Sequence, residues 1–104
     1  MKKIIDGKIY NTDTAALIGE LECTYNHGDF HYHDTALYRS PRGAYFLAGD
    51  GNAYSMWGHA VGDNGRGGGS GLCIINKSDA RYYAEQMDLS EEEMLDAGFD
   101  LVEG

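Results

Sequence analysis

The segment Ala36–Gly51, ALYRSPRGAYFLAGDG, decides the fold. Two runs rich in Leu, Tyr and Phe flank Ser40-Pro41-Arg42-Gly43. Pro41 presets φ near about −65° and Gly43 admits positive φ, so these four residues read as a tight turn and the segment as a β-hairpin. Side chains alternate along a strand. Leu37 and Arg39 therefore share one face, with Tyr38 on the other, and Tyr45 and Leu47 alternate with Ala44, Phe46 and Ala48. A strand apolar on both faces belongs in the middle of a sheet, with something packed over it.

Working outward, Lys2–Ile5 and Lys8–Tyr10 flank Asp6-Gly7, a two-residue hairpin signal. Asn11-Thr12-Asp13 offers helix N-caps, and the apolar positions Ala15, Leu17 and Ile18 predict a two-turn helix over Thr14–Glu20. Leu21–Tyr25 and Phe30–Asp34 alternate as strands about the turn at Asn26–Asp29. Asn52–Gly62 spaces Ala53, Met56, Trp57, Ala60 and Val61 as a short helix does, with Trp57 anchoring it on the sheet. The stretch 63–71, DNGRGGGSG, predicts a flexible loop, and Leu72–Ile75 a short buried strand.

Ser78 caps a predicted helix over Asp79–Met87 with Ala80, Tyr83, Ala84 and Met87 on one face. Ser90 and Glu93 form a capping box for a last helix, Glu91–Ala97, stopped by Gly98. Phe99, Leu101 and Val102 follow and are expected to fold back onto the core. The expectation is one α+β domain over residues 1–104. An antiparallel sheet of about five strands is packed by short helices from both ends of the chain.

The formal charge of −9 is unevenly placed. Residues 79–104 hold nine acids against Arg81 alone, whereas residues 1–78 hold eight acids against seven bases. A one-sided negative field repels nucleic acid and favours a basic protein surface. The carboxylates that would meet such a partner are Glu85, Asp88, Glu91, Glu92, Glu93 and Asp96. The same acids also serve plain solubility. Tyr supplies eight of the twelve aromatic residues, which suits a thin core or a binding face.

Other chemistry is weakly signalled. His31 and His33 fall on one side of the predicted strand, with His27, Cys23, Asp29 and Asp34 nearby, yet no established metal spacing is present. No metal or cofactor is expected, and the histidines read equally as a pH-sensitive polar face. The Gly-rich stretch lacks the Gly-Lys-Ser/Thr that a triphosphate loop needs. Cys23 and Cys73 lie in apolar runs and read as buried, reduced thiols rather than nucleophiles. Met1-Lys2-Lys3 leads into only two apolar residues before Asp6, so no secretory leader and a cytoplasmic location are expected.

Lys2–Ala15, then Leu37-Tyr38-Arg39, Arg42–Leu47 and Gly49-Asp50-Gly51, together with Ser78–Gln86 and Leu89–Glu93, resemble a family of small acidic proteins carried on bacterial mobile elements. The pattern departs at Tyr54–Gly58 and in the longer Gly-rich stretch. The resemblance carries no catalytic chemistry. It implies a phage or mobile-element context in which small acidic proteins act as anti-CRISPR-type inhibitors, by steric block or as DNA mimics. The expected partner is a protein with a basic nucleic-acid-binding surface, such as a Cas effector, and the expected function is not enzymatic. The alternatives are a regulator or assembly partner of the mobile element, working through its Tyr face or Gly-rich stretch, and a small His-dependent metal protein.

Overall fold

A computed structural model describes residues 1–62 and 65–104. The central hairpin forms where its sequence places it. Strand β4 (His33–Arg39) pairs antiparallel with β5 (Tyr45–Gly51), Leu37 opposite Leu47 and Tyr38 opposite Phe46. The turn closes with Gly43 N–H donating to the Ser40 carbonyl at 2.9 Å, and Gly43 takes φ 90°. With β3 (Ala16–Glu20) and β8 (Gly69–Ile75) it makes a four-stranded antiparallel sheet ordered β3-β4-β5-β8.

Both faces of β5 are buried, as its double apolar pattern requires. On one face Leu37, Tyr45 and Leu47 pack with Ala80 and Ala84 of α1 (Lys77–Glu85), Met94 of α2 (Glu91–Asp96), Ala97 and Phe99. On the other, Phe46, Ala48 and Leu72 pack with Tyr10 of a separate hairpin. That hairpin pairs β1 (Lys2–Ile5) with β2 (Lys8–Asn11), and Asp6 and Gly7 both adopt positive φ in its turn. The molecule is thus layered: hairpin, sheet, helices. A third pair joins β6 (His59–Val61) to β7 (Gly65–Gly67).

The sheet layout differs from the expected single sheet of about five strands, and the helices come from the C-terminal end alone. No helix forms over Thr14–Glu20; the residues Ala16–Glu20 are edge strand β3 on β4. Two turns of helix are marginal in water, while pairing with β4 satisfies the same backbone groups on an existing template. Asn11 uses its side chain on the Asp13 N–H at 2.9 Å, a local turn bond that looks like a helix cap in sequence.

Leu21–Tyr25 is not a strand, although Leu21 N–H still reaches the Thr35 carbonyl at 2.9 Å. Phe30 and His31 are turn residues, and β4 begins only at His33. Asn52–Gly58 is a run of turns, not a helix. A Cβ on Gly58 would collide with the Ala53 carbonyl, so the chain folds back too tightly there for a helix.

Within the stretch 63–71, Gly65–Gly67 is β7 and Gly69–Gly71 opens β8; Asp63 and Asn64 lie outside the described residues. The glycines serve close approach. A Cβ on Gly69 would sit 2.7 Å from the Trp57 carbonyl, and one on Gly71 3.1 Å from the Trp57 ring. Trp57 does anchor on the sheet: its Nε1–H donates to Thr35 Oγ1 at 2.8 Å. The same hydroxyl shares a hydrogen bond with His33 Nδ1 at 2.9 Å and donates toward Met56 Sδ at 3.7 Å. Thr35 is the buried polar residue of the sheet, 1% exposed. Replacing it by valine keeps the shape and strands two polar groups. We expect a loss of about 1–3 kcal/mol in urea unfolding, together with a shift of the Trp57 indole proton resonance.

Helix α1 starts two residues early because Asn76, not Ser78, is its cap, accepting from Asp79 N–H at 2.8 Å. The Ser90/Glu93 capping box of α2 is present with both bonds at 3.1 Å. Phe99 returns to the core at 1% exposure, whereas Leu101 and Val102 remain exposed. Both cysteines are free, Cys23 half-buried and Cys73 exposed, so neither is the core residue its apolar surroundings suggest. Cys73 lies on the edge strand β8, where an apolar run does not guarantee cover. No helix of the described residues is long and apolar enough to cross a membrane.

Candidate partner-binding surface

All six carboxylates singled out in the sequence are exposed on the helical layer. Their positions separate them into two kinds. Glu91, Glu92 and Glu93 occupy the first turn of α2, where the helix dipole favours negative charge. Glu93 Oε1 is also committed to the Ser90 N–H. These three acids have a sufficient structural cause. Glu85 and Asp96 are the last residues of α1 and α2, where a carboxylate faces the negative end of the dipole, and neither helix has a basic residue in its last turn. Asp88 follows α1 with φ 55°, a left-handed conformation that aspartate tolerates better than most residues. The ion pair found among the described residues is His31–Asp29, so none of the six acids is neutralised by a cation within 4.0 Å.

The second feature is a cluster of exposed aromatic rings. The His31 ring stacks on Tyr25 at 5.1 Å between centroids and meets Tyr54 at 5.8 Å. Phe30 meets Tyr54 edge-on at 5.9 Å, and the Arg66 guanidinium lies 5.7 Å from the Tyr54 ring centre. Phe30 and Tyr54 are more than half exposed. The turns hold this cluster in place. Asn52 Nδ2 donates to the carbonyls of His27 and Asp29 at 2.9 and 2.8 Å, and Tyr54 N–H donates to the Phe30 carbonyl at 2.7 Å. A groove of about 320 Å³ runs from Cys23, Tyr25 and His33 to Tyr82 and Tyr83 of α1; Tyr25 is the member of the ring cluster that lines it.

Asp29 fixes the ring of His31. Its carboxylate accepts from the His31 backbone N–H at 2.8 Å and contacts Nδ1 at 3.1 Å. The backbone bond first, and the ring second, hold the Asp29 carboxyl below its ordinary value. The stabilisation this gives is complete above the ordinary carboxylate range and is lost as pH falls through the depressed folded value, below about pH 4. An NMR titration should show the His31 amide resonance moving in that acid window. The Tyr32 phenol, edge-on to His27 at 4.4 Å, is pushed up by partial burial and then by Asp34.

The strand that was to place His31 and His33 on one side does not form, and His31 turns into the ring cluster while His33 bonds Thr35. Among the described residues no three His, Cys, Asp or Glu side chains gather as metal ligands do. Sequence reading missed the ring cluster because its members come from two turns distant in sequence. The available signal was aromatic residues flanking Asn26–Asp29 and Asn52. Comparison with protein-family models, curated proteins and solved structures yields no match to this chain.

Proposed function

We propose that this protein is a non-enzymatic, protein-binding inhibitor of the anti-CRISPR type. On this reading it occupies the basic nucleic-acid-binding surface of a defence complex. The observation that supports the reading is the placement of Glu85 and Asp96. They are exposed, without an ion pair within 4.0 Å among the described residues, and last in their helices, where the dipole disfavours a carboxylate; Arg39 and Arg42 share a groove with Asp96. A carboxylate kept against the dipole is available to a basic partner.

Such a field raises encounter rates with a basic surface by about 10–1,000-fold and is screened by salt. Tyr25, Phe30 and Tyr54 then supply the apolar anchors that slow dissociation. The test is a plating assay in cells whose CRISPR system targets a phage. Expression of the chain should restore plaque formation by orders of magnitude. Unchanged plating across the CRISPR types tried would remove the reading.

A further inference from the structure

We infer that the groove between β2 and the β4–β5 turn is a binding site for a small phosphomonoester. The groove holds about 600 Å³. Lys8 reaches it from the hairpin and Arg42 from the turn, and among the described residues no carboxylate lines it. In a chain of net charge −9 with only eight Lys and Arg, this is a local reversal of sign. Two cations facing one cavity repel each other until an anion comes between them.

The neutral donors point to the same chemistry. Ser40 Oγ accepts from Ala44 N–H at 3.0 Å, which leaves its own proton to give. Asn11 Oδ1 accepts from Asp13 N–H, which leaves its NH₂ to give. An ammonium, a guanidinium fork, a hydroxyl and an amide match the three terminal oxygens of a phosphoryl dianion better than the two of a carboxylate. Ile9 and Pro41 add apolar wall, and the volume exceeds that of bare phosphate, so the ligand carries an organic body.

The other side of the same turn shows the contrast. There a groove of about 610 Å³ shares Thr14, Ser40, Pro41 and Arg42 with the first and is lined by Arg39, but Glu93 and Asp96 line it too. The Arg39 guanidinium is seated where Gly43 and Gly98 lack a Cβ; at Gly98 that atom would lie 2.9 Å from its central carbon. Among the described residues its Nε has no hydrogen-bond partner. With two carboxylates present, that groove rejects a dianion.

Lys8 and Asn11 belong to the hairpin layer, and Lys8→Gln leaves the acidic helices untouched, so failure of this site and failure of the proposed function are distinguishable. Calorimetric titration of the full chain at low salt would use adenosine 5′-monophosphate as a phosphomonoester with a planar body, beside inorganic phosphate and adenosine. One saturable site for the monophosphate is expected, with weaker binding of phosphate. Lys8 and Arg42 are exposed, so Lys8→Gln and Arg42→Gln should fold as the parent does, and together they should weaken binding tenfold or more. Amide shifts in the parent should map to Lys8, Asn11 and Ser40–Arg42. No saturable binding, equal affinity for adenosine, or unchanged affinity in the double variant would overturn the assignment.

Discussion

Replacing Phe46 by alanine is expected to cost about 3–5 kcal/mol, a large part of the stability of a domain this size. Phe46 is fully buried and lies at the join between two layers. Tyr38 stacks on it at 5.3 Å within the sheet, and Tyr10 of the N-terminal hairpin meets it edge-on at 5.8 Å. A lone two-stranded hairpin is marginal in water. Without the ring, Tyr10 and Ile5 lose the surface they pack on, and β1–β2 should detach before the rest unfolds. Chemical denaturation should therefore show a lower midpoint, and amide exchange should show early loss of protection in residues 2–11. The Phe46→Leu variant refills most of the volume and should cost less than half as much. An alanine variant as stable as the parent would mean that the hairpin is held by something other than this ring.

The second large effect is on binding. Reversing Glu85 and Asp96 to lysine should cut affinity for the basic partner by a hundredfold or more and should not harm the fold. Lysine in the last turn of a helix is favoured by the dipole by about 0.3–1 kcal/mol; at position 96 Arg39 and Arg42, which line the same groove, offset that gain, so the double variant should melt close to the parent. Binding then falls while stability holds, which is the signature of a functional rather than a structural charge. Reversing Glu91, Glu92 and Glu93 together would not give a clean answer. Glu93 closes the capping box on Ser90, and all three sit at the end of α2 that favours acids. A loss of about 0.5–2 kcal/mol from the cap alone would mix unfolding with lost contact. Equal affinity in the Glu85→Lys, Asp96→Lys protein would take the acidic helix ends out of the account.

The elements legible in the sequence are those whose signals are local. Asp6-Gly7 and Ser40–Gly43 carry turn chemistry between alternating runs, and the Ser90/Glu93 pair carries cap chemistry; each forms in place. The misread elements take their conformation from distant partners. Ala16–Glu20 is a strand because β4 offers an open edge, which no window of that length records. The glycines of 65–71 resemble a linker in composition, but Gly69 and Gly71 accommodate the backbone and ring of Trp57, and Gly65, Gly67 and Gly68 the close approach of Val61 and Gly51. At the surface, the acids were visible as a count. Only the helix ends separate Glu85 and Asp96 from Glu91–Glu93, and that distinction needs the caps to be located. The ring cluster joins residues 25–31 to residues 54 and 66, a contact across the chain that composition does not encode.

The central claim is that the acidic and aromatic surface occupies the nucleic-acid site of a defence protein. Its most direct test is affinity capture on the immobilised chain from lysate of the natural host, at low and moderate salt, with the bound proteins identified by mass spectrometry. The account predicts recovery of one nucleic-acid-binding defence protein at both salts, its release by competitor duplex DNA, and its absence from the Glu85→Lys, Asp96→Lys bait. Recovery of mobile-element proteins alone, or of nothing at either salt, would contradict it and would favour a regulator or assembly partner of the element.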